Sequence, residues 1–323
     1  MPHAVRIYET GGPENLKWEE IEVGDPGPGQ VRVRNTAVGL NFIDTYQRSG
    51  LYPMAMPFIL GSEGAGVVEA VGRRVTTLKV GDRVAYAGPL GAYAEALLRP
   101  VDRLVKIPAG IEDTSAAAMM LKGLTTQYLL RRTYRVRSGD TILMHAAAGG
   151  VGLILCQWAK ALGATVIGTV GSEEKVALAK KAGCRHVVDM SKENFVERVK
   201  AITRGKGVPV VYDGVGKDTF MGSLDCLSPL GMMVSFGNAS GAVPPFNIGT
   251  LAQKGSLFLT RPTLGTYTAT SEDLVKAARD LFSVVKSGKV KIAINQTYPL
   301  REAAQAHRDL ESRKTTGSTV LLP

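Results

Sequence analysis

The sequence predicts an α/β chain in which a β-rich domain is followed by a six-stranded, doubly wound parallel sheet. Three observations support this fold class. A strand-like run at 141–144, a glycine-rich turn and a helical run at 153–162 follow one another directly, which is how a βαβ unit opens. Strand-length apolar runs then alternate with helical patterns up to residue 261. Residues 1–125 instead contain short apolar runs between turn residues, a pattern typical of a small barrel or sandwich.

Turn residues divide the first 125 residues into short strands. The turn-rich stretch 24–29 precedes an alternating run at 31–34, and further runs lie at 64–72 and 81–86. Helical patterns interrupt them only at 42–48 and 115–132. This part of the chain is therefore predicted to be mostly strand.

The middle of the chain carries the parallel-sheet pattern. After the opening unit, the predicted strands are 165–170, 186–188, 208–213, 231–236 and 256–260, and the predicted helices are 173–182, 193–203 and 218–227. Pro209 cannot donate to a sheet ladder, so we expect it at the start of its strand. Six strands with intervening helices is the count of a doubly wound sheet.

The last 62 residues contain an amphipathic helix at 271–287, a second helix at 300–312 and a final strand at 318–322. This segment is too short to form a core alone, so we expect it to return to the first domain. The predicted domains are thus 1–125 together with 262–323, and 126–261.

Composition narrows the class of protein. The chain is 45% hydrophobic and carries a net charge of +10. A basic chain suits an anionic cofactor or substrate, or nucleic acid, but the basic clusters lack the interleaved aromatic residues of a single-strand-binding surface. The three cysteines are Cys156, Cys184 and Cys226, which we expect to be reduced and buried. With no signal-peptide pattern and no membrane-spanning run, a cytoplasmic protein is expected.

The glycine-rich turn has the spacing of a dinucleotide-binding site. It reads Ala147-x-Gly149-x-x-Gly152, with alanine in the first glycine position. Gly149 lets the backbone approach a pyrophosphate, and Gly152 lets helix and strand pack closely. The N–H groups at the helix start favour the phosphates. The context of strand, turn and helix makes this more than a lone glycine pattern.

The residues beyond the second strand indicate NADPH rather than NADH. NAD sites place an acidic residue there to bind the ribose hydroxyls, whereas this chain has Gly171 and Ser172. Lys175 follows one turn later and can pair with a 2′-phosphate. Glu173 and Glu174 also lie in this turn, where acids are common. The alternative interpretation is that Ser172 only caps a helix and Lys175 is only solvated.

Several reaction types lack their residues. The sequence has no zinc-protease motif, no Cys-x-x-Cys pair, no Walker loop and no nucleophile elbow. Its four histidines are far apart in the sequence. With no recognisable metal set or general acid, the bound cofactor is expected to carry the chemistry. Hydride transfer to an acceptor that needs little proton assistance, such as a quinone, fits best.

The chain resembles the zinc-independent quinone oxidoreductase (ζ-crystallin-like) branch of the medium-chain dehydrogenase/reductase superfamily over essentially its whole length. The most specific match is the long pattern from Gly139-Asp140 through Gly149 and Gly152 to Gln157 and Lys160. Other matching pieces are 39–44, 48–53, 235–238 and 311–317.

That resemblance implies a GroES-like β-barrel domain, a Rossmann domain and NADPH bound in the cleft between them. Zinc-dependent relatives carry a Cys near Asn41 and a His where Ser62 stands, and both are missing here. Relatives often place a Tyr at the adenosine end, where this chain has Met190. A thioether can still pack on adenine.

The resemblance also implies individual site residues. Asn41, Tyr46 and Tyr52 fall where this branch lines the nicotinamide end, and we take them as the candidate catalytic residues. The candidate cofactor-binding residues are Asn41, Thr126, Ala148, Gly149, Gly150, Val151, Gly171, Ser172, Lys175, Val215, Phe236, Ser240, Phe258, Leu259, Thr260 and Arg313. No metal ligand is predicted.

Some of these residues have simpler interpretations. Tyr46 and Tyr52 can be packing residues of the cleft, and Asn41 can cap the helix that begins at Phe42. His145, at the end of a strand, is interpreted as a packed, hydrogen-bonded histidine rather than an acid.

The predicted function is reduction of quinones by NADPH. One alternative is reduction of α,β-unsaturated ketones or aldehydes on the same scaffold, which the sequence does not distinguish. An alternative of a different class is binding of AU-rich single-stranded RNA, which the net charge permits. The resemblance further implies a homodimer, and the run 256–260 offers a sheet edge for it.

Overall fold

A computed structural model describes residues 1–323. It contains sixteen strands and ten α-helices. The strands are β1 (His3–Ile7), β2 (Lys17–Glu20), β3 (Gln30–Leu40), β4 (Phe58–Ile59), β5 (Glu63–Val71), β6 (Arg83–Ala87), β7 (Ala96–Pro100), β8 (Val105–Lys106), β9 (Thr141–Met144), β10 (Thr165–Val170), β11 (His186–Asp189), β12 (Val208–Asp213), β13 (Leu227–Ser235), β14 (Phe258–Thr260), β15 (Ile294–Pro299) and β16 (Ser318–Leu322). The helices are α1 (Phe42–Ser49), α2 (Asp113–Tyr128), α3 (Gly150–Ala161), α4 (Val176–Lys181), α5 (Phe195–Thr203), α6 (Phe220–Asp225), α7 (Gly249–Gln253), α8 (Leu264–Tyr267), α9 (Ser271–Lys286) and α10 (Ala303–Glu311). None of the helices combines the length and the apolar character needed to cross a membrane.

The chain divides into two compact units. The first unit consists of Met1–Leu124, Thr268–Lys286 and Ile292–Pro323. The second unit consists of Thr125–Tyr267 and Ser287–Lys291.

The first unit is built on a seven-stranded sheet and a three-stranded sheet. The larger sheet has the order β15-β16-β3-β5-β6-β8, with β7 also paired to β3, and the smaller has the order β2-β1-β4. β16 pairs antiparallel with β3, so the end of the chain adds a strand to this unit. Gly39 in β3 faces Glu63 in β5. A Cβ at Gly39 would overlap the Glu63 carboxylate and the Ala117 carbonyl, so only glycine leaves room for that side chain.

Helix α1 begins directly after β3 and has clear signals at both ends. Asn41 is its N-cap, and the Asp44 carboxylate accepts a hydrogen bond from the Asn41 N–H at 2.8 Å. This is the returning half of a capping box. The helix ends at Gly50, whose φ of 83° is left-handed. The predicted capping role of Asn41 is confirmed.

The second unit contains the predicted six-stranded parallel sheet, which is confirmed. Its order is β11-β10-β9-β12-β13-β14, and every neighbouring pair is parallel. The register of β12 against β13 shifts between Val208 and Val210. Pro209 lies at that shift, as expected near the start of its strand, because it has no N–H to give to the ladder.

Two helices, α2 and α5, differ locally from the predicted elements. α2 ends at Tyr128 and continues as a π-helical turn, Leu129–Thr133, rather than as α-helix to residue 132. α5 begins at Phe195 because the Asn194 side chain accepts hydrogen bonds from the next N–H groups and caps the helix. The three cysteines are free and buried, as predicted.

Candidate active site

Glycine residues are concentrated at the carboxyl edge of the parallel sheet. The strand order reverses between β9 and β12, which is the position where such sheets bind ligands. A glycine follows each of the four central strands: Gly149 after β9, Gly171 after β10, Gly214 after β12 and Gly237 after β13. A Cβ at Gly237 would lie 2.5 Å from the Gly214 carbonyl oxygen, whereas one at Gly171 would have nothing within 4 Å. The loops after β12 and β13 are thus in close contact, whereas the loop after β10 leaves open space at Gly171.

The turn after β9 has little space for side chains. Ala146 has a left-handed φ of 53°, and the Gly149 N–H donates to the Ala146 carbonyl at 2.9 Å. A Cβ at Gly152 would lie 2.7 Å from the carbonyl carbon of Ala147, too near to be tolerated. α3 begins at Gly150, so its first N–H groups lie at this turn. The turn therefore presents backbone N–H groups rather than side chains, and its contact with a pyrophosphate stays a prediction.

A buried polar network lies beneath the turn. His145 Nδ1 is 2.9 Å from Thr169 Oγ1, and His145 Nε2 is 2.9 Å from Ser223 Oγ. The ring is fully buried, and burial lowers the pKa of His145 while the nearby Asp213 opposes that effect. The interpretation of His145 as a packed, hydrogen-bonded histidine is confirmed. It ties β9 to β10 and α6.

Asp213 shapes the loop after β12. Its Oδ1 accepts hydrogen bonds from the N–H groups of Val215 at 2.8 Å and Gly216 at 3.0 Å. Its Oδ2 accepts from the hydroxyls of Thr219 and Ser223. Asp213 is fully buried, so these four donors replace its hydration. The loop that carries Val215 is consequently held in one shape.

Two other predicted wall residues adjoin the same loop. Ser240 Oγ donates to the Val215 carbonyl at 2.9 Å and accepts from the Asp218 N–H at 3.1 Å. The Phe236 ring lies so close to Gly214 that a Cβ there would be 2.9 Å from the ring. Val215, Phe236 and Ser240 are therefore brought together around the ends of β12 and β13.

The predicted phosphate-binding residues of the second unit follow β10. Ser172 precedes a short 3-10 turn but makes no side-chain capping bond, and Lys175 ends that turn half-buried. Glu173 pairs with Lys192 at 2.5 Å, which offsets one of the two acids in this turn. Arg313 lies in the first unit, just past α10, and has a left-handed φ of 61°.

The remaining candidates of the second unit differ in exposure. Thr126 is fully buried in α2. β14 is an edge strand of the parallel sheet, and its Phe258 and Leu259 are 57% and 37% exposed. Thr260 ends that strand. The Arg261 guanidinium follows at once and donates to the carbonyls of Ser235 at 2.9 Å and Gly237 at 3.1 Å.

The three candidate catalytic residues lie together in the first unit, at α1 and the loop after it. The rings of Tyr46 and Tyr52 meet edge to face with centroids 5.3 Å apart, and the Tyr52 N–H donates to the Tyr46 carbonyl. Asn41 Nδ2 donates to Glu63 Oε1 at 2.8 Å. The packing interpretation and the catalytic interpretation of the tyrosines both remain compatible with this geometry.

Glu63 is the centre of a buried ion pair beside Asn41. The Glu63 side chain is fully buried, and its Oε1 also accepts from the Lys122 ammonium at 2.5 Å. The Leu121 N–H donates to Oε2 at 2.6 Å. The Lys122 side chain is only 7% exposed. Sequence reasoning missed this pair, although it contacts a predicted site residue.

A second buried carboxyl group, Asp44, lies on the other side of Asn41. It is fully buried, and burial, the largest cause, raises its pKa to about 7. It contacts Ser62, whose Oγ is 3.3 Å from Oδ1, and Tyr93, whose hydroxyl donates to Oδ2 at 3.1 Å. Tyr93 in turn is 3.1 Å from Nε2 of the buried His307. Burial, with the Arg48 charge, lowers the pKa of His307 to about 3.

Comparison with known proteins adds the family. Residues 27–109 match the alcohol dehydrogenase GroES-like domain, and residues 150–283 match the zinc-binding dehydrogenase family. The chain is 59% identical to quinone oxidoreductase of Pseudomonas aeruginosa, with all of both chains covered, and 49% identical to 2-haloacrylate reductase of a Burkholderia species, covering 100% of this chain and 99% of the relative. It superimposes on the structure of Escherichia coli quinone oxidoreductase complexed with NADPH with a TM-score of 0.98, at 51% identity, covering 99% of this chain and 100% of that one.

The chain belongs to the quinone oxidoreductase branch of the medium-chain dehydrogenase/reductase superfamily. The first unit therefore contains the predicted GroES-like domain, and the parallel sheet of the second unit is a Rossmann sheet.

The zinc-ligand pattern is missing from this chain at Asn41 and Ser62. No group of three or more His, Cys, Asp or Glu side chains is arranged to hold a metal ion. Instead, a lysine ammonium lies against Glu63, and a serine hydroxyl lies against Asp44.

The residues that sequence reasoning missed share one property. Glu63, Lys122, Tyr93, His307 and Arg261 lie far from the glycine turn in the sequence and carry no local motif. A usable signal exists only for Arg261, because a cation directly after the last strand of a dinucleotide-binding sheet is near the predicted cofactor wall.

The pH dependence of stability follows from the shifted pKa values of Asp44 and His307. As the pH falls from 6.5 to about 4, His307 binds a proton in the unfolded chain but stays neutral in the folded protein. Its contribution to stability therefore falls as the pH drops. Asp44 behaves oppositely, because its folded form holds a proton that the unfolded form releases, so its contribution falls as the pH rises. The two effects offset one another in the wild-type protein.

Asp44→Asn is expected to remove this compensation. Lowering the pH from 6.5 to about 4 should then cost about 3 kcal/mol more in the variant than in the wild type, because the His307 effect is no longer opposed. Urea unfolding across this pH range measures the difference. His307→Gln should show the opposite slope. Parallel stability curves for Asp44→Asn and wild type would contradict the prediction.

Proposed function

We propose that this chain is an NADPH-dependent oxidoreductase that transfers reducing equivalents to quinones. The observation that carries the proposal is the set of glycine loops at the carboxyl edge of the Rossmann sheet, in a chain whose E. coli relative has been solved with NADPH. The missing acid after β10 and the half-buried Lys175 favour NADPH over NADH.

Each part of the NADPH molecule can be assigned to particular residues of the second unit. We assign the pyrophosphate to the turn 148–152, and the adenosine with its 2′-phosphate to Gly171, Ser172 and Lys175. Thr126, Val215, Phe236, Ser240 and the strand β14 supply the remaining wall. Bound NADPH supplies the hydride.

The chain's own residues would bind and orient the acceptor. The buried Tyr46 ring holds the half-buried Tyr52 ring at a fixed edge-to-face angle, which suits contact of Tyr52 with a flat ring. Asn41 is held by Glu63 and by its capping position, so its side chain is fixed before the acceptor arrives. We propose that these three residues contact the acceptor.

Stopped-flow absorbance at the NADPH band tests the proposal. NADPH should be oxidised rapidly on mixing with 1,4-benzoquinone and only slowly without an acceptor. If no member of a quinone panel speeds the oxidation, the quinone assignment is wrong.

A second candidate activity is reduction of an activated carbon–carbon double bond. It is favoured by the 2-haloacrylate reductase of Burkholderia, which this chain matches along its whole length. Rates with 2-chloroacrylate and an α,β-unsaturated ketone, each divided by the rate with 1,4-benzoquinone, distinguish the two activities.

Lys175→Ala is expected to weaken NADPH binding about tenfold and to leave NADH binding nearly unchanged. The loss corresponds to about 1.4 kcal/mol, at the low end for a charge-assisted hydrogen bond because Lys175 is partly solvated. Fluorescence titration with both nucleotides measures it, and Lys180→Ala, an exposed lysine on the next helix, is the control. Equal losses for the two nucleotides would place the 2′-phosphate elsewhere.

We propose that β14 is the edge at which two copies pair to form a homodimer. The strand ends the sheet, and Phe258 exposes 57% of its surface. Phe258→Glu is expected to raise the dimer dissociation constant at least about tenfold in sedimentation experiments, because it buries a charge. Val80→Glu, at an exposed valine of the first unit, is the control. An unchanged dimer in Phe258→Glu would remove β14 from the interface.

We also propose a cytoplasmic location. The three cysteines are free, which suits a reducing compartment. Cell fractionation with an antibody to the chain tests this.

A further inference from the structure

A continuous chain of buried hydrogen bonds runs through the first unit from Arg48 to Ser62. Arg48 Nη1 lies 3.1 Å from His307 Nδ1, and His307 Nε2 lies 3.1 Å from the Tyr93 hydroxyl. Tyr93 reaches Asp44 Oδ2 at 3.1 Å, and Asp44 Oδ1 lies 3.3 Å from Ser62 Oγ. All five residues are buried, and Ser62, the most exposed of them, is 6% exposed.

The direction of each hydrogen bond follows from Arg48. A guanidinium only donates, so His307 Nδ1 must accept and the neutral ring carries its proton on Nε2. His307 Nε2–H then donates to Tyr93, and Tyr93 donates to Asp44 Oδ2. The Asn41 N–H donates to that same oxygen. Oδ2 therefore accepts two hydrogen bonds. A proton on Asp44 consequently has to lie on Oδ1.

Oδ1 faces the Ser62 hydroxyl, so the charge of Asp44 sets the direction of that hydroxyl. When Asp44 is ionised, Ser62 donates to it. When Asp44 is protonated, Oδ1–H donates to Ser62 Oγ, and the hydroxyl proton of Ser62 is released to point at another acceptor. A carboxylate that served only to cap α1 would not need a hydroxyl on its second oxygen.

We propose that Ser62 and Asp44 form a proton relay, in which Ser62 gives its proton to the reduced acceptor and Asp44 resupplies Ser62. The inference rests on the proposed reductase function. Ser62 is the residue that would touch the acceptor, and Asp44 is a positioning residue that acts through it. Arg48, His307 and Tyr93 fix which oxygen of Asp44 carries the proton.

The step balances for a quinone. NADPH supplies a hydride, which carries two electrons and one proton. The second hydroxyl of the hydroquinone needs one more proton. The Ser62 O–H bond breaks as the acceptor O–H bond forms, and the Ser62 O–H bond is remade with the Oδ1 proton. Asp44 is left ionised and regains a proton from water through Ser62 after the product leaves.

The surroundings of Asp44 favour a group that changes charge near neutral pH. Burial raises its pKa to about 7, and Glu63 on β5 acts in the same direction. The Asn41 N–H, Tyr93 and Lys122 on α2 oppose the rise. Arg48 on α1 and the neutral His307 on α10 also belong to the network, and the Arg48 guanidinium is paired with the Glu311 carboxylate on α10 at 2.6 Å.

The pH profile of quinone reduction tests the relay. Wild-type kcat should fall as the pH rises through about 7, because ionised Asp44 no longer releases the Ser62 proton. Asp44→Asn and Ser62→Ala should lower kcat at pH 6 by at least about tenfold and remove this dependence, and Ser62→Thr, which keeps a hydroxyl, should restore both. Asp25→Asn, at an exposed carboxylate, is the control. If Ser62→Ala keeps the kcat and the pH profile of the wild type, the proposal is overturned.

Infrared spectroscopy of the protein without nucleotide gives a readout that does not depend on activity. A protonated carboxyl band should disappear as the pH rises through about 7, be absent in Asp44→Asn and shift in Ser62→Ala. Absence of this band at pH 6 would overturn the relay even if quinones are reduced. If the wild type shows the band and Ser62→Ala shifts it, but the wild type reduces no quinone, the proposed function is refuted and the Asp44–Ser62 proton exchange stays supported.

Discussion

Lys122→Met is expected to lower the free energy of unfolding by about 3–5 kcal/mol, the largest loss predicted for any single substitution in this chain. The Glu63 carboxylate is fully buried and lies 2.5 Å from the Lys122 ammonium. Methionine fills much of the volume of lysine but removes the charge. Glu63 would keep only the Asn41 amide and the Leu121 N–H as hydrogen-bond donors. Urea unfolding followed by circular dichroism measures the change.

The double variant Lys122→Met with Glu63→Gln separates charge from packing. Removing both charges should recover most of the lost stability, because a neutral amide costs far less to bury than an unpaired carboxylate. Glu63→Gln alone should also destabilise, because it removes the carboxylate charge that faces the buried ammonium. If the double variant is as unstable as Lys122→Met, the cost comes from packing rather than from the unpaired charge.

Much of the fold was predictable because its signals are local. The glycine turn, the missing acid after β10 and the N-cap at Asn41 are each read from a few adjacent residues. Parallel strands buried on both faces form continuous apolar runs, so the order of elements in the Rossmann sheet could be predicted. The element ends were less predictable, since a cap such as Asn194 shifts a helix start by two residues from the predicted 193.

The buried polar networks were not predictable because they join distant residues. Lys122 meets Glu63 across 59 positions, and Tyr93 meets His307 across 214. Asp44 is recognisable from sequence as a helix-capping acid, but nothing local shows that its second oxygen faces Ser62. The pairing of β3 with β5, for example, places Gly39 opposite Glu63 and so brings Glu63 next to the start of α1.

The two networks show how this unit accommodates charge where zinc-dependent relatives place metal ligands. Glu63 pairs with an ammonium, whereas Asp44 has only hydrogen-bond donors around it and a raised pKa of about 7. The two buried carboxyl groups on either side of Asn41 thus have neighbours of different charge. That difference is what allows one of them to exchange a proton.

Gly152→Ala is expected to weaken NADPH binding on the order of a hundredfold. The added Cβ would lie 2.7 Å and 2.8 Å from the carbonyl carbon and Cα of Ala147, and backbone atoms cannot rotate away. The turn after β9 must therefore shift, and the N–H groups at the start of α3 lose their alignment with the pyrophosphate. Two weakened charge-assisted hydrogen bonds account for about 3 kcal/mol. Fluorescence titration with NADPH measures the loss.

The same substitution should lower stability by about 1–3 kcal/mol, the usual cost of overpacking, without unfolding the protein. Gly265→Ala is the matched control, because a Cβ there meets nothing within 4 Å and should leave the affinity for NADPH unchanged. Thermal unfolding with and without NADPH separates the two effects, since only a variant that still binds the cofactor is stabilised by it. A Gly152→Ala protein that gains as much from NADPH as the wild type would show that this turn does not contact the pyrophosphate.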